Sequence, residues 1–476
     1  MATTIHGRRL GRSGVVAGAA VLAVLASWAP RPTQAHAVVP TPNPIQHIVV
    51  IYQENHSFDE VLGALCLQDA RCDGSLTATL LNGTQYPLVL SPDIVPTINH
   101  DTLSETKAIN GGLMNGWENV KGCSASAGYP CLTYYDPTQI PSLAAYARAY
   151  AISDRTFQLD RVPSFGAHIE LVSSTLDGFT GVAPTAKKGF TAKAGWGCDS
   201  NKFAKWKDPT NPKATVVSVP ACVPDYTDTL TGLTSDRSPT NGGAITSTPV
   251  SHVPTVMDSL DSAGMSWRLY TSAIGANKIR AYTWSICPVF ASCIYTAQSQ
   301  NMVPPGQVVT DAGAGTLPNF SVVLPEGPSG STSQHNGTSM IAGDNWIGQV
   351  VSSIMNGPDW SSTAIFITYD DCGCFYDHVA PPAGLGIRNP VVIVSPYARA
   401  GFTDSNIATT ASLLAFTEHT FGLAPLGAPD ANAYDYSDSF DFGQTPLGPV
   451  VTTKTAVPAS STNYLATHPA DANDPT

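Results

Sequence analysis

Residues 47–59 read HIVVIYQENHSFD, an apolar run that ends in a carboxylate, Glu54, and an amide, Asn55. A continuous apolar run of this length is typical of a central parallel strand that is buried on both faces. A second run, TAIFITY at 363–369, ends in the same way, in Asp370 and Asp371. Because open α/β sheets bind ligands at the carboxyl ends of their strands, the two runs are expected to bring four oxygen ligands to one edge.

The rest of the chain alternates strand-like and helix-like segments, which favours a mostly parallel sheet. Helices are predicted from Ile140 to about Tyr150, over 340–355 and over 413–421, with a further buried strand over 390–394. The sequence therefore predicts an α/β fold with three layers, an α/β/α sandwich.

The first 37 residues are predicted to be an export signal. Three arginines between positions 8 and 12 precede an apolar core over 15–28, and Ala35-His36-Ala37 offers small residues where a signal peptidase reads. An uncleaved anchor is the alternative, but this core is shorter than a membrane span of roughly 20 residues. We therefore expect an exported protein, secreted or held in the periplasm or cell envelope, with at most peripheral membrane contact. The paired arginines leave both the general and the twin-arginine routes open.

The chain is acidic, with a formal net charge of -12. Loss of the first 37 residues removes four arginines and no acid, which takes the charge from -12 to -16. This charge argues against nucleic acid as the main partner, because phosphate backbones are bound through Lys and Arg. A phosphate-bearing substrate remains compatible, since a bound cation inverts the local field.

Most of the ten cysteines fall into close pairs. An even count behind an export signal predicts disulfides. Four pairs would close surface loops: Cys66 with Cys72, Cys123 with Cys131, Cys198 with Cys222, and Cys287 with Cys293. For Cys372 and Cys374, a strained bridge, a reduced pair and a thiolate metal site all stay open.

Two further segments differ in composition from the rest. Residues from about 180 to 253 are rich in Thr, Ser, Gly, Pro and Asn, and are predicted to be a long insertion, either a lid over the site or a surface loop. From 451 to 476 the chain lacks periodicity and is predicted to be a disordered tail. The catalytic domain is therefore expected to span residues 38–450.

Ser164 is a candidate nucleophile, placed after Pro163 and just before the apolar run 169–172. The alternative is a helix N-cap, a role that serine fills very often. The Gly-x-Ser-x-Gly pattern of an α/β-hydrolase is missing. A metal-activated serine needs no such turn, because the cation stabilises the alkoxide.

Several motifs resemble those of the bacterial phospholipase C and acid phosphatase family. They are ENHSFD at 54–59, NHD at 99–101, GGLMNG at 111–116, PSFGAH at 163–168, TYDDCGCFYDHV at 368–379, and the segment 390–401. The resemblance covers about 45–442 and keeps the family's order. Two departures stand out: Gln334 occupies the position of an acidic residue, and Cys372-Gly373-Cys374 replaces a pair of glycines.

This resemblance implies an alkaline-phosphatase-like fold that hydrolyses phosphate esters or phospholipids at a hard, oxygen-ligated divalent metal ion. The metal ligands would be Glu54, Asn55, Asp370 and Asp371, and the metal-bound nucleophile would be Ser164. The resemblance further implies that His100 and His335 contact the phosphoryl oxygens or serve the leaving group. His168 is a further catalytic candidate.

The leading prediction is a secreted metal-dependent phosphoric ester hydrolase with a serine nucleophile, either a phospholipase C-like phosphodiesterase or an acid phosphatase. One alternative is a secreted calcium-binding or adhesion protein in which the acidic cluster is structural. Another is a metal-free serine hydrolase that uses Ser164, a histidine and an aspartate. The metal, the head group and the oligomeric state are left open.

Overall fold

An eight-stranded sheet forms the centre of the structure. The structure is a computed structural model that describes residues 42–189, 191–192, 195–223, 253–271, 284–326 and 332–468. Its strands, in chain order, are β1 His47–Gln53, β2 Ala151–Ser153, β3 Trp267–Tyr270, β4 Met302–Val303, β5 Phe320–Val323, β6 Thr363–Tyr369, β7 Val391–Val394 and β8 Thr403–Asp404. Their order across the sheet is β4-β3-β5-β1-β6-β7-β2-β8.

Strand β1 lies in the interior of this sheet, as its unbroken apolar sequence predicts. It pairs in parallel with β5 on one side and with β6 on the other. Only β7 runs antiparallel to its neighbours, β6 and β2. The mostly parallel sheet is therefore confirmed.

Helices cover the sheet, whose central strands are buried along almost their whole length. The α-helices are α1 Ala64–Asp69, α2 Thr102–Ile109, α3 Pro141–Ala149, α4 Ser164–Ser173, α5 Val256–Ser262, α6 Ala291–Ile294, α7 Gln307–Ala314, α8 Met340–Met355, α9 Ala411–Phe421, α10 Ala428–Ala431 and α11 Ala459–Thr467. One group packs α8 between α3 and α7, and another packs α4 against α5 and α9. This arrangement agrees with the predicted α/β/α class.

Helix α3 receives its N-terminal cap from a different helix. Asp344 of α8 accepts hydrogen bonds from the backbone N–H groups of Ser142 (2.9 Å) and Leu143 (2.8 Å). Burial raises the pKa of Asp344 to about 6, against the opposing effect of these two N–H groups. The cap joins α3 to α8 on the same side of the sheet.

The shorter elements lie outside the central sheet. A five-residue π-helix, Asp59–Gly63, directly precedes α1. The described part of the predicted insertion forms a three-stranded sheet. The short strands are Thr77–Thr79, Gln85–Pro87, Val89–Leu90, Thr133–Tyr134, Thr156–Phe157, Thr185–Ala186, Lys202–Trp206, Val217–Pro220 and Ala408–Thr409.

The four predicted loop disulfides are all present: Cys66–Cys72, Cys123–Cys131, Cys198–Cys222 and Cys287–Cys293. Cys372 and Cys374 are free and buried, with their Sγ atoms 3.9 Å apart. The strained bridge is therefore not formed in this structure, which leaves the reduced pair and the thiolate metal site.

The chain after residue 450 differs from the sequence-based expectation. Between 451 and 468, where a disordered tail was expected, the chain forms helix α11. Asn345 of α8 exchanges two hydrogen bonds with the backbone of Thr455 (2.7 and 2.8 Å). These side-chain bonds hold the backbone of the segment, and an apolar sequence pattern does not predict them. The predicted disordered tail is therefore wrong for residues 451–468.

Within the described residues, no helix is both long and apolar enough to cross a membrane. The predicted export signal, residues 1–37, lies outside the described part of the chain.

Candidate active site

The ends of strands β1 and β6 bring four polar residues together. Gln53 and Tyr369, the last residues of the two strands, are paired in register, so Glu54 and Asp370 leave the sheet side by side. The backbone N–H of Asn55 donates to Asp370 Oδ1 at 2.9 Å. All four predicted metal ligands, Glu54, Asn55, Asp370 and Asp371, are buried here.

Asn55 adopts a left-handed backbone conformation, with a φ of 58°. Asn is one of the few residues other than glycine that tolerates this region. The turn directs its Nδ2 towards Asp371 (3.3 Å) and to within 2.7 Å of His100 Nε2. Its Oδ1 atom is buried and has no hydrogen-bond partner. This amide oxygen is therefore available as a ligand.

Gly373, which follows the neighbouring strand β6, packs closely against Asn55. Its φ is +55°, and a Cβ atom at this position would lie 2.2 Å from the carbonyl oxygen of Asn55. The Gly373 N–H also donates to Asp371 Oδ1 at 2.7 Å. Only glycine satisfies both the backbone angle and this close approach.

Ser164 is the first residue of α4, and Pro163 occupies the N-cap position. The Ser164 hydroxyl makes no capping bond; it lies 3.3 Å from Glu54 Oε2 and 3.3 Å from Asp371 Oδ2. The helix thus delivers the hydroxyl to the carboxylates of both strand ends. The N-cap alternative considered from the sequence is wrong.

His168 lies one turn further along the same helix. Its Nδ1 donates to the carbonyl oxygen of Ser164 at 2.8 Å, and its Nε2 lies 3.4 Å from Glu54 Oε1. Burial lowers the pKa of His168, and the charge of Asp370 opposes this shift. The side chain is packed edge-on against Tyr52, with ring centroids 5.0 Å apart.

His100 and His335 form a second side of the site, with ring centroids 6.2 Å apart. His100 Nδ1 donates to the carbonyl oxygen of Ile98 at 2.8 Å, which leaves Nε2 to accept from Asn55. His335 Nδ1 donates to the carbonyl oxygen of Asn336 at 2.9 Å. Ser164, His168 and His100 therefore contact the predicted metal ligands directly, and His335 lies beside His100.

The loop that carries His335 is held by residues that the sequence reasoning missed. Gln53 bonds the backbone of Thr332 and of Gln334 (3.0 Å each), and His56 Nε2 contacts the carbonyl oxygen of Gln334 at 2.8 Å. Tyr369 donates its hydroxyl to Gln334 Oε1 at 2.6 Å. Gln334, where the family usually has an acid, is thus tied directly to the two strand ends. The sequence does contain one signal for these contacts, because Gln53 and Tyr369 are the last residues of the two strands that end at the site.

The electrostatics of the cluster favour a bound cation. Burial, followed by the charge of Asp370, raises the pKa of both Glu54 and Asp371. Glu54 Oε1 and Asp370 Oδ2 are buried without hydrogen-bond partners, as is Asn55 Oδ1. Unpaired buried acceptors of this kind are costly unless a cation neutralises them. The donor set therefore fits a divalent metal ion.

A second acidic cluster, formed by Asp59, Asp377 and His378, already contains its counter-charge. Arg388 is buried and donates to Asp377 Oδ1 (2.9 Å) and to Asp59 Oδ1 (3.3 Å). His378 Nδ1 lies 2.5 Å from Asp59 Oδ2, and its Nε2 lies 3.0 Å from Asp73 Oδ1. This cluster is an ion-pair network that secures the segment after β6.

The model of the Phosphoesterase family matches residues 45–424, which includes every residue of the site described above. The chain belongs to the Phosphoesterase family. Two relatives of this chain are named as phospholipases. Non-hemolytic phospholipase C of Burkholderia pseudomallei is 24% identical, over 79% of this chain and 55% of the relative. Phospholipase C A of Mycobacterium tuberculosis is 22% identical, over 90% of this chain and 84% of the relative.

Solved structures that are similar to this fold have low sequence identity. An alkaline phosphatase superfamily protein from Vibrio parahaemolyticus has a TM-score of 0.35 and 10% identity, and the match covers 84% of this chain and 74% of that one. A phosphonate monoester hydrolase of Agrobacterium radiobacter has a TM-score of 0.33 and 10% identity, with 80% and 74% covered.

The family match confirms the predicted resemblance. The chain spans about half the length of the Burkholderia relative, 55%.

Proposed function

We propose that this protein is a metal-dependent phosphoric ester hydrolase in which Ser164 is the nucleophile. The observation that carries the proposal is the position of the Ser164 hydroxyl, 3.3 Å from Glu54 Oε2 and 3.3 Å from Asp371 Oδ2. A serine placed against two carboxylates of a candidate cation site is positioned for activation by that cation.

Glu54, Asn55, Asp370 and Asp371 would hold the metal ion. Each offers an oxygen, and the unpartnered atoms Glu54 Oε1, Asn55 Oδ1 and Asp370 Oδ2 support this assignment. When bound, a divalent ion neutralises charge on the phosphoryl group and lowers the pKa of a coordinated hydroxyl.

The side chains of the site then share the remaining work. Asp371 Oδ2 and Glu54 Oε2 are placed to take the Ser164 proton, because the hydroxyl contacts both oxygens. Attack of Ser164 Oγ on phosphorus forms a phosphoserine ester and breaks the bond to the leaving alcohol. His100 and His335 are the candidates to protonate that alcohol, each as an imidazolium that gives up its Nε2 proton, a contribution of about 10²- to 10⁴-fold. In His100 this proton would replace the hydrogen bond that Nε2 accepts from Asn55. Water then hydrolyses the phosphoserine.

The proposed substrate class is a phosphate ester, with phospholipids first. The names of the relatives favour a phosphodiester of the phospholipase C type over a phosphomonoester. The net charge of -12 argues against nucleic acid. Contact with a lipid surface would be peripheral.

Two other functions fit the structure less well. A structural calcium site would need no serine or histidine at the strand ends, yet Ser164 and His100 contact the cluster. A metal-free serine hydrolase would need a histidine nitrogen on the Ser164 hydroxyl. The hydroxyl instead lies against two carboxylates, so the serine–histidine contact that defines this triad is not formed.

We further propose that the protein is exported. Four disulfides within the described residues are expected in an oxidising compartment. Cell fractionation of an expressing strain should therefore recover the protein outside the cytoplasm, and N-terminal sequencing should find Val38 as its first residue. Recovery in the cytoplasm would contradict export.

A paired assay tests the proposed reaction. p-Nitrophenyl phosphate and p-nitrophenyl phosphorylcholine are supplied to the protein, each with and without a chelator and added divalent ions. We expect chelator-sensitive release of p-nitrophenol, faster from the diester. Hydrolysis that survives chelation would contradict the metal dependence, and faster release from the monoester would indicate a phosphatase.

A further inference from the structure

We propose that His168 is a nitrogen ligand of the same metal ion, so that the site selects a transition ion such as Zn²⁺ over Ca²⁺ or Mg²⁺. The inference rests on the proposed metal site. It replaces the all-oxygen ligand set expected from the sequence, in which His168 was a catalytic candidate.

The hydrogen bond at Nδ1 sets the tautomer of His168. Nδ1 lies 2.8 Å from the carbonyl oxygen of Ser164, which can only accept, so Nδ1 must carry the hydrogen. In the neutral ring, Nε2 then carries a lone pair. A metal-ligating histidine commonly donates its other N–H to a backbone carbonyl in this way.

The lone pair faces another acceptor. His168 Nε2 lies 3.4 Å from Glu54 Oε1, and both atoms are buried without a hydrogen-bond partner. Asp370 Oδ2 is a third buried atom without a hydrogen-bond partner, and it lies 4.0 Å from the other ring nitrogen, Nδ1. One donor atom from each of these three residues lies within 4.8 Å of the others. A cation bound between these acceptor atoms would satisfy all three of them.

The spacing suits a single ion of transition-metal size. Zn–N and Zn–O bonds are about 2.0–2.2 Å long, and two of them that meet near the tetrahedral angle place the donor atoms about 3.4 Å apart. Glu54 Oε1 and His168 Nε2 have this separation, 3.4 Å. Imidazole favours Zn²⁺ and similar ions, whereas Ca²⁺ and Mg²⁺ favour oxygen ligands.

The sequence places nucleophile and ligand on one helix. Ser164 and His168 are four residues apart on α4, so their side chains lie one above the other on the same face. Helix α4 would thus bring both the attacking hydroxyl and a metal ligand to the strand ends.

The test measures metal binding rather than turnover. Metal-free wild type, His168→Gln and His419→Gln are titrated with Zn²⁺ and with Ca²⁺ in competition with a chromophoric chelator. His419 is exposed and paired with Asp435, away from the site, so H419Q controls for general loss of a histidine. Circular dichroism of each metal-free variant establishes that it is folded.

We expect the wild type to prefer Zn²⁺, and H168Q to bind Zn²⁺ at least tenfold more weakly with its Ca²⁺ affinity little changed. H419Q should bind like the wild type. Zn²⁺ affinity of H168Q within twofold of the wild type, or a preference of the wild type for Ca²⁺, would overturn the assignment.

A second measurement uses unmutated protein, in case H168Q does not fold. In ¹⁵N-histidine NMR spectra of the wild type, Zn²⁺ should shift the Nε2 resonance of His168. An unchanged resonance at saturating Zn²⁺ would refute ligation. The two proposals can fail separately. If the wild type does not hydrolyse phosphate esters but its Zn²⁺ binding still depends on His168, the proposed function is wrong and the ligand assignment stands.

Discussion

Ser164 and Glu54 are 110 residues apart in the chain, yet the Ser164 hydroxyl lies 3.3 Å from Glu54 Oε2. Glu54 directly follows strand β1, and Ser164 lies in the first turn of α4. The contact joins the predicted metal site to the predicted nucleophile, and the mechanism follows from it.

Replacing Asp371 by Asn should affect metal-free and metal-loaded protein in opposite directions. Burial and the charge of Asp370 raise the pKa of Asp371, so its charge is unfavourable without a cation. In metal-free protein we expect D371N to raise the free energy of unfolding by on the order of 1 kcal/mol. In the presence of metal, D371N should instead be less stable than the wild type, because its metal affinity should be lower by roughly 10- to 100-fold or more.

Urea unfolding with and without metal checks this, with Asp208→Asn as the control. Asp208 is a partly exposed residue of the insertion, and its side chain bonds to nearby Thr210. Destabilisation of metal-free D371N would show that the carboxylate is not under electrostatic strain.

Gly373→Ala should disrupt the site through Asn55. An alanine Cβ would lie 2.2 Å from the Asn55 carbonyl oxygen, in addition to the cost of a φ of +55°. Gly384 has a φ of +93° and nothing within 4 Å of a Cβ, so Gly384→Ala isolates the backbone cost, about 1 kcal/mol.

We expect G373A to be less stable than G384A and to lose metal binding, whereas G384A should keep it. Thermal unfolding and metal titration provide the comparison. Equal metal affinities in the two variants would argue against a role of Gly373 in holding Asn55.

Thiol titration should separate the disulfides from the Cys372 and Cys374 pair. Protein unfolded without reductant should expose two thiols, from Cys372 and Cys374, out of ten cysteines. In the native protein both should react slowly, because they are buried. No free thiol in the unfolded protein would mean that the pair is bridged in solution.

His378 should make stability depend on pH. Burial lowers its pKa, but the hydrogen bond to Asp59 and the charges of Asp59 and Asp377 outweigh this effect, and the net shift is upward. A raised pKa in the folded state gives a stabilising contribution that is complete below the unfolded value of about 6.5. That contribution is lost as the pH rises through the higher folded value.

His378→Gln should therefore cost most stability at low pH and progressively less as the pH rises. Unfolding free energies of wild type and H378Q across this range measure the difference, with H419Q as an exposed control. A difference that does not change with pH would remove His378 as the titrating group.

The sequence predicted the parts of the site that lie on one continuous pattern. The apolar runs ending in Glu54 and Asp370 identify two buried strands, because period and length are local properties. The helix over 340–355 was predicted with the bounds that the structure shows, Met340–Met355.

Contacts between distant segments were not predictable in the same way. The cap from Asp344 on α3 and the bonds of Asn345 to Thr455 depend on how helices pack after folding. The same holds for the approach of His168 Nε2 to Glu54, since one sequence pattern allows either a core histidine or a ligand. The sequence motif identified His168 as a candidate, but its contact with Glu54 is known only from the packing of helix α4.

The turnover of Ser164→Ala is the most direct test of the nucleophile. Ser173 is a buried serine at the other end of the same helix, with its hydroxyl on the carbonyl oxygens of Ile169 and Thr175, and Ser173→Ala is the matched control. We expect S164A to lose phosphoesterase turnover while its melting temperature stays near that of the wild type, and S173A to stay active. A folded S164A protein that keeps near-normal turnover would contradict the phosphoserine mechanism.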